Sequence, residues 1–414
     1  GVQTCALPIY GVGTLGLSGL AVLLPLMNMM VAFSTLVAIG GANLMSIRLG
    51  QKDYKSANVI LGNVVTLSII YATILIIVCY TFLDKILILS GASAETLPYA
   101  RSFMQVFLAG VIFTQLFFNL NAMLRSSAAP KKAMIATICM VLIVIVLNPI
   151  FIFVLKMGMR GSALATVLSQ AIMLCYQLHH FQNKNNFIYF HKGIFKLRWK
   201  LVTKIMSIGL SPFFMNLTAC MVVIIITNSL TRYSGDMAVG AYGIINRFLF
   251  FFVMIVIGLM QGMQPIVGYN YGAKLYNRVF QVLKLSLLFA TLISITGFLL
   301  GEILPHLITS MFTTDKELAD ISIKGMKIMM LAVPLLGAQV ISTGFFQSIG
   351  YVKTAIFLSL LRQLILIIPA LLVLPLFFGL NGIWMSVPIS DFLATVISLS
   401  LLIYNYRLLK KQID

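Results

Sequence analysis

Runs of twenty or more mostly apolar residues recur from one end of the chain to the other, separated by short polar breaks. Crossing the hydrocarbon of a bilayer takes roughly 20 such residues as helix. Backbone N–H and C=O groups find no water there, so a spanning segment must satisfy them internally. The runs predict spans at 13–47, 57–83, 99–124, 132–155, 159–181, 201–231, 236–268, 278–304, 318–348, 354–377 and 380–406. Several are longer than a bilayer needs and are expected to tilt or bend. Composition points the same way: 60% of the 414 residues are hydrophobic and 9% charged, far outside the range of a soluble domain. The fold class expected is all-α and polytopic.

A formal net charge of +19 raises the question of nucleic acid, but a nucleic-acid face needs its basic residues gathered on one surface. Here they lie between the spans, and no nucleic-acid partner is expected. One set of loops and ends, which holds Arg48, Arg125, Lys131, Lys132, the lysines of 184–204 and Arg407, carries 19 Lys and Arg; the alternate set carries 8. The positive-inside rule places the richer set, and with it the C-terminus, in the cytoplasm. The five cysteines show no paired spacing, so neither a disulfide frame nor a metal site follows.

The chain repeats itself. "GGANLMSIRLGQKDYKSA" (40–57) aligns with "GMQPIVGYNYGAKLYNRV" (262–279) at a shift of 222, which pairs Gly40 with Gly262, Gly50 with Gly272, Lys52 with Lys274 and Tyr54 with Tyr276. The same shift pairs Gly13 with Gly235, Met104 with Met326, Ser126 with Ser348 and Lys131 with Lys353. At 221, "GMRG" (158–161) meets "GLNG" (379–382) and Ser169 meets Ser390. Each unit starts and ends on the same side, so the halves are parallel repeats of the kind found in transporters. The expected organisation is an N-lobe over 10–182, a basic linker over 183–200 and a C-lobe over 201–414. The linker reads as a solvated cytoplasmic segment with one amphipathic turn on anionic lipid. The twin of the span at 201–231 would fall before the first residue, so a first span is expected to be largely missing. "GVQTCALPI" (1–9) reads as a non-native segment, and the native count as six spans in each lobe.

Together "GMQPIVGYNYGAK" (262–274), "GGANLMSIRLGQKDYKSA" (40–57), "NPIFIFVLKMGMRGSALATVLSQ" (148–170), "LLRQLILIIPALLVLP" (360–375) and "GLNGIWMSVPISD" (379–391) resemble the multidrug and toxic compound extrusion (MATE) transporters, in particular the bacterial subgroup of the staphylococcal multidrug pump. The resemblance runs from about residue 11 to the end. It implies two six-helix lobes around a central cavity open alternately to each side, and export of organic cations against protons or sodium across the bacterial inner membrane. A monomer with no cofactor is expected.

A charge at mid-membrane is costly and therefore a functional candidate. Only Asp391, Arg247 and Arg362 lie well inside predicted spans. Burial raises a carboxyl pKa and a neighbouring cation lowers it, so Asp391 suits proton loading, or attraction of a cationic drug. The competing reading is a structural pair with Arg362 or Arg247, or a carboxylate bonding a neighbouring helix. Both arginines are expected to be structural charges, because a fixed cation in the cavity would repel a cationic substrate.

Gln115, Asn119, Gln170 and Gln264 are candidate polar residues of the cavity, with interhelical hydrogen bonding the plainer explanation for Gln115 and Asn119. The resemblance implies that Asn148 and Thr166 fall where the family's first-lobe cation site has an acid or amide and a hydroxyl, oxygen ligands that suit sodium. Relatives of this kind often carry Asp at the Asn148 position and Asn where this chain has Val144, which leaves proton or sodium open. Pro149, Pro265, Pro369 and Pro388 should bend their spans locally. A flippase for lipids or lipid-linked sugars is the second reading. A membrane-embedded enzyme is the third, and it is not expected, because His179, His180, His191 and His306 have no acid spaced to join them.

Overall fold

The structure, a computed structural model, describes the backbone of residues 2–191 and 193–410; the side chains of 2–18, Ala21, Asp236, Leu409 and Lys410 lie outside the described set. Among the described residues every regular element is helical: α1 (Val2–Gly50), α2 (Tyr54–Thr81), α3 (Leu83–Leu89), α4 (Leu97–Ala109), α5 (Val111–Ser126), α6 (Pro130–Pro149), α7 (Gly158–Gln182), α8 (Trp199–Gly272), α9 (Tyr276–Ile303), α10 (Pro305–Ser310), α11 (Lys316–Met330), α12 (Val333–Ser348), α13 (Val352–Leu360), α14 (Ile368–Phe378) and α15 (Leu380–Lys410). Residues 2–9 are helical in backbone and continuous with α1. Their side chains, and with them the reading of 1–9 as non-native, lie outside the described residues.

Nine helices among the described residues are long and apolar enough to span, and two bent pairs raise the number to 11, in the order the apolar runs predict. The spans expected at 99–124 and 318–348 are broken. α4 and α5 meet at 59°, and α11 and α12 at 52°. The breaks fall at Gly110 and at Leu331–Ala332, which a shift of 222 superposes. The fused α8 is interrupted at Gly235, φ 70° and ψ −165°, and so supplies two spans.

Backbone detail obeys the repeat too. Lys52 and Lys274 both have φ 60°, each at the left-handed position that closes a helix. In each case paired bonds from that residue and the next return to the last turn, Lys52 to Leu49 and Asp53 to Arg48, Lys274 to Tyr271 and Leu275 to Asn270. Gly158 and Gly379 both have φ 55°. Gly161 and Gly382, three residues on, each lie so close to the carbonyl of the preceding helix, Phe151 in one case and Leu374 in the other, that no Cβ fits. The "GMRG" and "GLNG" matches are thus two copies of one tight turn.

Two prolines sit beside π-helical turns, Ile150–Val154 after Pro149 and Leu361–Ile367 before Pro369. Proline lacks an N–H and frees a carbonyl one turn back, which a locally wider turn can re-satisfy.

The chain forms two compact units, 1–209 and 210–414. The first is cored by Leu23, Cys79, Phe103, Met104, Leu108 and Ala163. The second has one cluster around Tyr242, Met326 and Trp384 and another around Met260, Phe345 and Phe346. Residues such as Ile77, Val146 and Phe377 are exposed, as they should be where the surrounding solvent is lipid.

The linker differs from the solvated segment expected. Asn58 on α2 accepts from the Tyr189 N–H at 2.8 Å, and Asn63 accepts from the Arg198 N–H at 2.8 Å. The Asn63 amide donates to the Ile194 and Lys196 carbonyls, both at 3.2 Å, and the Thr66 hydroxyl to the Phe195 carbonyl at 3.1 Å. Ile188 and Ile194 are buried, and Gly62 leaves room for the Ile194 carbonyl. The basic side chains of this segment mask a backbone that is bound along α2.

Candidate functional site

Asp391 stands eleven residues into α15 and Arg362 ten residues past the start of α13. At 1.5 Å per residue each lies about 15 Å from the end of its span, the middle of a hydrocarbon layer roughly 30 Å thick. They meet there. Arg362 Nε donates to Asp391 Oδ1 at 2.5 Å and its Nη2 to Oδ2 at 3.3 Å, a two-point fork of the kind that makes arginine–carboxylate pairs strong. Asp391 is 4% exposed, so water compensates little of its charge and Arg362 most of it. Arg362 belongs to the π-helical turn, an irregularity that often marks functional positions.

Arg247 is not in this pair. It lies on α8, ten residues past Met237, and is exposed beside exposed Asn246. Among the described residues no carboxylate lies within ion-pair distance of it. Gln264 is committed elsewhere in the second unit. It donates to Gln347 at 2.8 Å, Gln347 donates to Ser211 at 2.9 Å, and Ser211 and Ser359 share a bond of 2.6 Å. This ladder ties α8, α12 and α13 together, and each of its side chains is buried.

The first unit arranges its polar residues differently. Asn148, at the end of α6, is fully buried, and neither atom of its amide has a hydrogen-bond partner. Phe151 faces Gly161 where α6 turns into α7; counting back along two antiparallel helices places Asn148 at the level of residues 162–166. Ser162 presents a buried hydroxyl without a partner there, and Thr166, one turn on, donates to the Ser162 carbonyl at 3.0 Å. Gln170 follows on the same face and accepts from Thr114 at 2.5 Å. Gln115 donates to the Met30 carbonyl at 3.4 Å and Asn119 to the Ser68 hydroxyl at 2.5 Å, but the amide oxygen of each is left unpartnered in the interior. Leaving a buried polar atom unpaired costs about 1–3 kcal/mol, so several unpaired oxygens in one unit mark a place fit for water or a cation. The acids of this unit whose side chains are described, Asp53, Asp84 and Glu95, lie outside its candidate spans; a cation there would meet neutral ligands.

Sequence reasoning named Asp391, Arg362, Asn148, Thr166, Gln115, Asn119 and Gln170. It missed Ser162, the Gln264–Gln347–Ser211–Ser359 ladder and the asparagine clamp on the linker. A signal for the clamp was present: Asn58, Gly62, Asn63 and Thr66 share one face of α2 at helical spacing.

The MatE family model matches residues 4–150 and 212–372 of this chain. The multidrug export protein MepA of Staphylococcus haemolyticus (strain JCSC1435) is 28% identical over 405 residues, covering 97% of this chain and 89% of that protein; MepA of Staphylococcus aureus (strain MSSA476) is 27% identical with the same coverage. Among solved structures, the MATE multidrug transporter DinF-BH, solved in complex with a small-molecule substrate, superposes with a TM-score of 0.90 at 34% identity, covering 97% of this chain and 90% of that one. A MATE structure in the bent conformation gives a TM-score of 0.93 at 19% identity, over 99% and 92%, and speaks to the fold alone.

Proposed function

The chain belongs to the MatE family, and we propose that it works as a secondary active multidrug efflux antiporter of the bacterial cytoplasmic membrane, with its C-terminus inside. It exports small organic cations in exchange for protons or sodium by alternating access, and it carries out no chemical conversion. The relatives named as multidrug exporters and the neighbour solved with a small-molecule substrate support small-molecule cargo.

One observation carries the coupling part of this reading. Asp391 is a buried carboxylate at mid-membrane depth, held by Arg362. As an ion pair it is neutral overall and tolerable in a low dielectric. A proton arriving at Asp391 removes the charge that holds Arg362 and opens the fork; re-forming the fork expels the proton. In the first unit Asn148, Thr166 and Ser162 offer neutral oxygens to sodium. Without a carboxylate among them that site is weaker for a hard cation than one built on an acid.

The test is dye-cation uptake by the purified protein in proteoliposomes, with a proton gradient or a sodium gradient imposed separately. Uptake driven by either gradient names the ion, and a sodium-driven fraction that vanishes in Asn148→Ala assigns it to the first unit. Uptake under neither gradient sinks the reading. The flippase would then stand, favoured by exposed Arg247, which suits an anionic headgroup better than a cationic drug.

A further inference from the structure

We propose that the first unit carries a binding site for a phosphate group on the face that the Lys and Arg distribution assigns to the cytoplasm, and that its occupant is the headgroup of an anionic lipid. A cavity of about 500 Å³ opens between the turn joining α5 to α6, the end of α7 and the start of the linker. Its polar lining comes chiefly from Lys131, Lys132, His180, Asn185 and Asn186, and no carboxylate contributes. Among the described residues neither lysine has a carboxylate within ion-pair distance. Lys132 Nζ instead approaches His180 Nδ1 at 2.8 Å, which places a second basic group where a counter-charge would ordinarily stand. Two ammonium groups and an imidazole gathered in one concavity, with carboxamides beside them, are a donor set with no acceptor, and a phosphate oxygen supplies it.

The walls are fixed. The Asn186 amide donates to the His180 carbonyl at 2.7 Å, Ile188 is buried, and Asn58 holds the neighbouring Tyr189 N–H. Beside the lysines Phe187 also lines the cavity, and it is 75% exposed. An exposed aromatic next to a basic pocket at the end of a spanning helix fits the boundary between headgroup and acyl chain, which favours a lipid phosphate over a soluble one. The repeat does not duplicate the pocket: the residues equivalent to the α5–α6 turn, around Lys353, have no linker following their unit among the described residues.

The experiment is native mass spectrometry of the full chain titrated with phosphatidylglycerol, phosphatidylcholine or inorganic phosphate. It compares wild type, Lys131→Gln/Lys132→Gln, and the control Lys184→Gln/Lys196→Gln, which removes the same charge outside the cavity. Both pocket lysines are exposed, so the first double variant should fold, which its size-exclusion profile checks. A lysine near an anionic surface is worth roughly fivefold in binding, so the pocket variant should lose phosphatidylglycerol about twenty-five-fold, the control far less, and phosphatidylcholine should bind weakly throughout. Equal loss in both variants would reduce the effect to diffuse charge and overturn the site. Inorganic phosphate bound in a Lys131- and Lys132-dependent manner, with no preference for phosphatidylglycerol, would keep the phosphate site and overturn the lipid as its source. No dependence on either lysine overturns the proposal outright.

Discussion

Replacing Asp391 by Asn leaves the Arg362 guanidinium at mid-membrane depth without the carboxylate that pairs with it. Removing one partner of a buried ion pair costs about 3–5 kcal/mol, because the surviving charge is no longer compensated. Unfolding entropy is roughly 2.1 cal/mol/K per residue. If the second unit, Leu210–Asp414, unfolds by itself, the Tm should fall by about 7–12 °C; if the two units unfold together, by about 3–6 °C. Trp384 is 1% exposed and stands two helical turns before Asp391 on α15, so its fluorescence reports the melt from nearby. In Asp391→Asn/Arg362→Gln neither buried charge is left, and most of the lost Tm should return. Gradient-driven dye uptake separates structure from coupling. If Asp391 handles the ion, the double variant is stable and inactive. Recovery of both stability and uptake would make the pair a structural tie and refute the coupling role; an unchanged Tm in Asp391→Asn would refute the energetics of the pair itself.

Other expectations follow from neighbouring features. Asn63→Ala removes three bonds to the linker backbone, at about 1 kcal/mol each, so tryptic cleavage at Lys196 and Arg198 should accelerate by more than tenfold while the rest of the chain keeps its protection. Arg247→Gln removes an exposed cation at mid-span depth and should raise the initial rate of organic-cation uptake several-fold at low ionic strength; no change would place that side chain away from the cargo. Asp53 caps α2 through its bond from the Ser56 N–H at 3.0 Å. The hydrogen bonding from Ser56 holds its carboxyl below the usual range against the opposing effect of burial, with the charges of Arg48 and Lys55 adding to it. Because the folded pKa is the lower one, the cap's contribution is complete above the ordinary aspartate pKa and is lost only as pH falls through the depressed value. Amide exchange at the first turn of α2 should therefore stay slow to about pH 4 and quicken below it; quickening well above that pH would contradict the assignment.

The repeat was legible because two halves under the same local rules preserve the residues those rules demand. Gly158 and Gly379 need left-handed backbone, and Gly161 and Gly382 need close approach; such requirements survive in sequence. The breaks at Gly110 and Leu331–Ala332 were not legible, since an apolar run stays apolar through a bend and Ala332 has no glycine's signature. The linker misled for a related reason: its basic side chains set the composition, whereas its burial depends on backbone groups that every sequence has, and on asparagines more than a hundred residues away.

By itself the sequence determined that the chain is membrane-spanning and all-helical, how many crossings it makes in what order, and that they form two copies of one plan. Those facts follow from the length of apolar runs against the thickness of hydrocarbon and from short-range backbone chemistry. Only the tertiary structure decided which arginine answers Asp391. Arg247 and Arg362 were both eligible by depth, and depth is all that spacing along a helix reports; the choice rests on how each helix is rotated about its axis. That rotation turns Arg362 onto the carboxylate and leaves Arg247 exposed. The same packing left Asn148 without a partner and closed the basic pocket behind the linker, because side chains from separate helices meet only after the helices have packed.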